Sequence, residues 1–379
     1  MAIDLKLLEK RLAEYKVYDA WQYVQSLRET LGYMNISYEI LLNVYEHRCN
    51  TIEKVENNII EVALKEGQSS FGENDLKQTD LNIGGFEIDD SIFLRKTAIE
   101  FFHYARISMD ILFQIVNAAL LGDKSYPVSD KGLLKKVLKE LKNKPEFANL
   151  LNLLNTNKGN PNYGYLLAFD NYIKHIKTIL ITIKNSFLLG KSKEFTINEF
   201  YYDGILYQKE NVIDKIQEIK DYVIKTIEDI LLEVLKQIPN CLDNSHRIHS
   251  IKFKQVNKNT EKGSELEYIT FFIEVENDLS ELPNEIKVLP LIIKPNDEIY
   301  SFDFKFDKIF IKKKGESGLS IIGCGVLKNG LETNEFYRIF EVRPCGIKEY
   351  FDYISAFKTK YTKITMNIYA MEGSMIFIS

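Results

Sequence analysis

The sequence has few cysteines, and their spacing excludes the commonest cysteine-based structures. Four of the 379 residues are cysteine, and no two of them form a CxxC pair. A disulfide framework or a structural zinc site requires closer and recognisable spacings. We therefore expect free, mostly structural thiols, a reducing cytoplasmic compartment and no metal or other cofactor.

Targeting segments and common catalytic motifs are also missing. The first residues lack the basic and apolar regions of a signal peptide. The most apolar run, Ala105 to Leu121, is short for a membrane span and contains Arg106 and Asp110. No GxxxxGK[ST], HExxH or GxSxG motif occurs. These absences argue against a P-loop nucleotide site, an HExxH zinc protease and a serine hydrolase of the GxSxG type, and we expect no membrane partner.

The net charge of −5 excludes a generally basic protein that coats nucleic acid. Residues 91–144, however, carry 10 Lys/Arg against 5 Asp/Glu, whereas residues 1–90 carry 9 against 17. A lysine-rich helix after Ser129 or Asp130 provides much of this local positive charge. RNA phosphates are one candidate partner, and an ordinary solvated face is the alternative. The candidate RNA-binding residues are Lys135, Lys136, Lys139 and Lys174.

Hydrophobic periodicity predicts an α+β protein, with an N-terminal all-α bundle followed by a C-terminal antiparallel β-rich domain. We expect three segments: a helical pair and loop over residues 1–90, a bundle with a small β-hairpin over 91–242, and a β-rich domain over 246–379. Gly32 separates the two opening helices, which we expect to pair antiparallel, and residues 67–90 form a surface loop. Further predicted helices span 91–121, 146–154, 163–189, 212–238 and 347–357.

Two sequence features predict β-structure. Asp203-Gly204 between apolar-aromatic runs is a specific signal for a hairpin. After residue 246 the apolar period changes to alternation, as in Phe302, Phe304 and Phe306. Other predicted strands cover 251–256, 268–275, 288–293, 319–327, 336–342 and 363–378. This pattern favours an antiparallel sandwich or an open barrel.

The helix predicted over Ser91 to Leu121 is apolar on nearly every side except for one polar stripe. Such a helix lies inside a bundle. Because an unpaired buried charge is very costly, its stripe must meet polar groups elsewhere. At three- and four-residue steps, the stripe contains His103, Arg106, Asp110, Gln114 and Asn117.

The predicted helix over residues 163–189 carries a second polar line that could meet this stripe. Its members Asn171 and His175 are one turn apart, and side-by-side packing would bring them to Arg106 and Asp110. These residues are the candidate catalytic site for phosphodiester transfer. His175 would move protons and Arg106 would stabilise the phosphate charge. Asp110 would orient either His175 or Arg106. The alternative is an interhelical polar network that fixes helix register.

A helical bundle with Asn-x-x-Lys-His late in its sequence resembles the HEPN superfamily over roughly residues 90–240. Family ribonucleases carry an Arg-x4–6-His motif, and His175 matches its histidine. Asn171 matches the polar residue after the arginine, whereas Asp170 occupies the arginine position. The resemblance implies a cytoplasmic homodimer in a bacterial defence or toxin–antitoxin system, with metal-independent endoribonuclease activity. The alternative is a noncatalytic interaction module whose β domain binds a protein or ligand.

Overall fold

The computed structural model describes residues 4–15, 17–70, 72, 77–122, 125–127, 132–185, 193–240, 248–260, 263–293, 299–301, 307–315, 319–332, 338–361 and 374–378. The chain divides into two compact units. The helical unit contains residues 1–15, 20–121 and 132–241, and the barrel unit contains residues 16–19, 122–131 and 242–379. The α+β class predicted from the sequence is confirmed.

The helical unit contains seven α-helices and three small β-elements in the described residues. Its helices are α1 Leu5–Glu14, α2 Tyr18–Glu66, α3 Asp90–Leu121, α4 Leu133–Leu141, α5 Ala148–Lys158, α6 Pro161–His175 and α7 Val212–Gln237. Its strands are β1 Leu81–Ile83, β2 Phe86–Ile88, β3 Ile181–Asn185, β4 Lys193–Ile197, β5 Phe200–Tyr202, β6 Ile205–Tyr207 and β7 Glu210–Asn211. They form a β1–β2 hairpin, a β3–β4–β7 sheet and a β5–β6 hairpin.

Helix α3 forms the core of the helical unit, as its sequence predicts. Of its 32 residues, 19 are buried. By length and composition it is the one described helix that could cross a membrane, yet 72% of its most apolar window is buried in the structure. Helix α2 packs antiparallel to it, since Thr30 contacts Ser108 (Oγ1–Oγ 3.1 Å) and the later Arg48 pairs with Asp90 at the start of α3.

The chain opens with two helices, α1 and α2, but the predicted break between them at Gly32 is wrong. Helix α2 runs unbroken for 49 residues through Gly32. A glycine inside a helix costs only about 1 kcal/mol relative to alanine, and the flanking apolar face supplies far more by burial. The expected loop over residues 67–90 contains the β1–β2 hairpin, in which Gly84 and Gly85 adopt positive φ.

The second internal helix is much shorter than predicted. Helix α6 ends at His175, and the chain then enters strand β3. The segment Thr178 to Ile183 is mostly β-branched, and β-branched side chains favour strands over helices. The boundaries of two neighbouring helices also differ from the prediction. Helix α5 extends to Lys158, and the residue at the N-cap of α4 is Gly132. The predicted cap residues Ser129 and Asp130 lie outside the described residues.

The hairpin predicted at Asp203-Gly204 is confirmed. Strands β5 and β6 pair antiparallel, with Tyr202 opposite Ile205. Asp203 and Gly204 have φ values of 48° and 79°. Two successive residues with positive φ are the requirement of a type I′ turn, whose twist matches that of the strands it joins.

The barrel unit is built from eight described strands and one helix. They are β8 Ile248–Thr260, β9 Gly263–Val275, β10 Glu285–Ile293, β11 Ile299–Ser301, β12 Lys308–Lys313, β13 Ile321–Glu332, β14 Arg338–Pro344, α8 Ile347–Tyr361 and β15 Ser374–Ile378. The sheet order is β11-β10-β14-β13-β12-β9-β8-β15, and β15 also pairs with β10. That last pairing closes seven strands into a barrel. The predicted strand at Phe302, Phe304 and Phe306 lies outside the described residues.

Among the described strands, one pairing departs from the predicted antiparallel pattern, and the sheet is closed rather than a sandwich or an open barrel. Strand β12 pairs parallel with β9, with Phe310 opposite Phe272. Alternating residues divide between two apolar layers. One layer contains Ile269, Phe271, Ile273, Val275, Ile286, Val288, Ile309, Ile311 and Phe340. The other contains Phe272, Phe310, Ile321 and Cys324 and is covered by Tyr350 and Ile354 of α8.

Gly323 is a position at which the barrel tolerates no side chain. A Cβ there would lie 2.6 Å from Leu279 Cδ2 and 2.9 Å from the carbonyl oxygen of Arg343. We expect Gly323→Ala to lower the free energy of unfolding by about 1–3 kcal/mol, because the backbone oxygen cannot move aside cheaply. Gly346→Ala is the matched control, since its Cβ would meet nothing within 4 Å and its effect should stay within about 0.5 kcal/mol. Urea denaturation of both variants measures the difference, and equal stability would contradict the packing argument.

Candidate functional site

Helices α3 and α6 pack antiparallel, and aromatic contacts fix their register. Phe102 contacts Phe169 with ring centroids 4.3 Å apart, and Phe113 contacts Tyr163 edge-on at 5.9 Å. Later residues of α3 therefore meet earlier residues of α6. This register places the polar stripe of α3 beside the face of α6 that contains Asp170.

Asp170 is the centre of a polar cluster between the two helices. Its side chain is only 8% exposed, and each oxygen has one partner. His103 Nδ1 lies 3.0 Å from Oδ1, and Lys174 Nζ donates to Oδ2 at 2.6 Å. A buried carboxylate with both oxygens engaged is a fixed negative charge that can orient a histidine. The imidazole itself remains reachable, since 41% of the His103 side chain is exposed.

Arg106 and Asp110 extend the cluster by two turns along α3. They form an ion pair one helical turn apart, with the Arg106 side chain 15% exposed and Asp110 47% exposed. Burial raises the pKa of the Asp110 carboxyl above its ordinary value; Arg106 opposes this shift and the nearby Asp170 adds to it. We call the five residues His103, Arg106, Asp110, Asp170 and Lys174 the His103 cluster.

The His103 cluster contains two of the four predicted catalytic residues. Arg106 and Asp110 do meet, but as a pair within one helix. His175 is the last residue of α6 and is exposed, and Asn171 is half-buried. Within the described chain, no hydrogen bond or ion pair joins either of them to Arg106 or Asp110. Successive helical residues differ by about 100° around the axis, so Asp170 and Lys174 face α3 and their neighbours Asn171 and His175 are rotated away.

The predicted RNA-binding lysines lie in two places. Lys135 and Lys139 are exposed one turn apart on α4, whereas Lys136 is half-buried. Helix α4 buries Val137 and Leu141 on its other side. Lys174 is the one predicted RNA-binding residue that belongs to the His103 cluster.

The contact between His103 and Asp170 was not predicted from the sequence. His103 was visible on the polar stripe of α3, and Asp170 lies one turn before Lys174, a spacing typical of an ion pair. Only the rotation of α6 about its axis selects Asp170 over Asn171. The buried side chains of Tyr165, Leu166 and Phe169 lie on one side of α6 and set that rotation.

The arrangement suits proton transfer and anion binding better than metal binding. Both oxygens of Asp170 are already engaged, and Asp110 is paired with Arg106. An imidazole oriented by a buried carboxylate can accept and return a proton. Arg106 and Lys174 supply positive charge within the same cluster, as a phosphate group requires.

Comparisons with known proteins give a match within the barrel unit. Residues 249–343 match a family model described as a domain of unknown function (DUF8310). The match extends from β8 to nearly the end of β14 and leaves the helical unit uncovered. No curated protein and no solved structure gives a significant match to the chain.

Proposed function

We propose that the helical unit cleaves RNA without a metal ion and that His103 transfers the proton. The observation that carries this proposal is the buried Asp170 carboxylate, which contacts His103 Nδ1 at 3.0 Å while much of the imidazole remains exposed. The proposal places His103, rather than the His175 expected from the sequence, at the centre of the site.

Each member of the His103 cluster has a role in this reaction. Asp170 accepts a hydrogen bond from Nδ1–H and so leaves Nε2 to take the proton from a ribose 2′-hydroxyl. The 2′-oxygen attacks the neighbouring phosphorus, the bond to the 5′-oxygen breaks, and that oxygen takes up the proton returned by the His103 imidazolium. The products are a 2′,3′-cyclic phosphate and a 5′-hydroxyl. Arg106 and Lys174 stabilise the phosphate charge, and Asp110 positions Arg106.

The resemblance to the HEPN superfamily supports a cellular role for this activity. We infer a cytoplasmic, homodimeric protein that acts on RNA in a bacterial defence or toxin–antitoxin system. The competing function is a noncatalytic interaction module. The same contacts would support that module if the Asp170 network served only to hold α3 and α6 in register.

His103→Ala should abolish RNA cleavage, because His103 is the group that the buried Asp170 carboxylate orients for proton transfer. Exposed His175 provides the matched control, and His175→Ala should cleave at the rate of the unaltered protein. Cleavage of mixed-sequence RNA by the three proteins is measured with EDTA present. A second substrate with 2′-deoxyribose at the cleaved position should remain intact, since it lacks the nucleophile.

Three results would count against the proposal. Equal cleavage by the unaltered protein and His103→Ala would remove His103 from the mechanism, and loss only in His175→Ala would restore the site expected from the sequence. A lack of cleavage by all three proteins would favour the noncatalytic module. Far-UV circular dichroism checks that each variant retains its helices.

A further inference from the structure

The barrel unit brings two cysteines and a glutamate together beneath helix α8. Cys324 lies in β13, on the apolar layer that α8 covers. Cys345 follows the end of β14, and Glu349 lies in the first turn of α8, four residues later. The chain turn between β14 and α8 therefore places Cys345 and Glu349 next to a strand cysteine. The three residues are separate from the His103 cluster, which belongs to the helical unit.

The spacing of their ligand atoms is close to that of a metal site. One ligand atom from each residue lies within 4.8 Å of the other two, and Cys324 Sγ lies 3.9 Å from Glu349 Oε1. Zinc–sulfur bonds of about 2.3 Å place two sulfurs roughly 3.7 Å apart around a tetrahedral ion. A shift of about 1 Å or less would therefore close the triangle onto an ion. Among the described residues, this is the one group of three potential ligands with such spacing.

Two cations hold Glu349 without occupying both of its oxygens. Lys308 Nζ donates to Oε1 at 2.7 Å and Arg343 Nη2 donates to the same oxygen at 2.5 Å. Within the described chain, no hydrogen bond or ion pair engages Oε2. Outer partners of this kind fix the orientation of metal-ligating carboxylates in proteins. Oε2 is thus oriented and available for an ion.

We propose that Cys324, Cys345 and Glu349 bind one zinc ion. Two thiolates select a thiophilic cation such as zinc over the hard cations magnesium and calcium. Three protein ligands leave a fourth tetrahedral position. Cys324 is fully buried, but Cys345 and Glu349 are partly exposed, so water can reach that position.

A zinc ion also fits the local charge. On binding, the cluster loses two thiol protons and gains one doubly charged ion, so its net charge is unchanged. Lys308, Arg343 and Glu349 together carry one net positive charge, and this charge is the same before and after the ion binds.

Zinc and cobalt binding by the full chain test the proposal. The protein is stripped of metal under reducing conditions, and zinc is titrated against a chromophoric chelator. We expect one ion per chain, and cobalt should show thiolate-to-metal charge-transfer absorption. Cys324→Ser and Cys345→Ser should each weaken binding more than about 100-fold, and Lys308→Met should weaken it about 10- to 100-fold through Glu349.

Cys49→Ser is the matched control, because Cys49 is a partly buried thiol in the helical unit. It should leave zinc affinity and the cobalt spectrum unchanged. Cys241→Ser tests a different thiol, close in sequence to His246 and His249 and outside the described residues. The proposal is overturned if the chain binds no zinc, or if binding survives both Cys324→Ser and Cys345→Ser. It is also overturned if Cys241→Ser alone removes binding.

Discussion

Arg48→Met should lower the free energy of unfolding by about 3–5 kcal/mol, the usual cost of leaving one partner of a buried ion pair alone. Arg48 of α2 pairs with Asp90, the first residue of α3, and their side chains are 10% and 2% exposed. Arg48 also lies 3.5 Å from Thr79 Oγ1. The pair therefore joins three segments of the helical unit. Methionine fills similar volume but leaves the Asp90 carboxylate without its countercharge.

Lys65→Met is the matched control for this prediction. Lys65 pairs with Glu61 on the same helix, but the two side chains are 76% and 69% exposed. Such surface pairs contribute about 0–1 kcal/mol, so this variant should retain nearly full stability. Denaturation followed by helical circular dichroism compares the two. Adding Asp90→Asn to Arg48→Met should recover part of the loss, and equal stability of the two single variants would refute the buried-pair interpretation.

Asp170→Asn should reduce RNA cleavage about 10²- to 10⁴-fold while preserving the shape of the His103 cluster. An asparagine amide can donate to His103 Nδ1, which would stabilise the tautomer that carries its proton on Nε2. That tautomer cannot accept a proton from the 2′-hydroxyl. The substitution also removes the charge that balances a protonated imidazole.

The adjacent Asn171 provides the control for Asp170→Asn. Asn171→Ala alters a half-buried residue on the same turn of α6, but one that has no described contact with the His103 cluster. Its cleavage rate should match that of the unaltered protein. A large loss in Asn171→Ala with little change in Asp170→Asn would instead support the site expected from the sequence. This pair of variants thus tests the rotation of α6 directly.

The sequence predicts the helical core well because the relevant signals are local and strong. Helices α3 and α7 follow their apolar periodicity, and the Asp203-Gly204 hairpin follows from residues that tolerate positive φ. Two predicted features, a helix break at Gly32 and a long helix after Tyr163, are absent because other local preferences were stronger. Gly32 did not interrupt α2, and the β-branched segment after Ile176 became strand β3 rather than more helix.

The candidate site was only partly predictable for a different reason. The Arg106–Asp110 pair is a contact within one helix, so its four-residue spacing reveals it. The His103–Asp170 contact joins residues 67 positions apart and depends on helix rotation. The Cys324, Cys345 and Glu349 group depends on the pairing of β13 with β14. Neither long-range arrangement leaves a periodic signal in the chain.

The closure of the barrel has a consequence for the order in which the protein folds. Strand β15, at residues 374–378, is the partner that connects β8 to β10. During synthesis the barrel can therefore close only after residue 378 has left the ribosome, although β8 begins at residue 248. Until then β8 and β10 present unpaired backbone edges, which are prone to association with other chains. The helical unit, whose contacts are complete by residue 241, can fold well before this step.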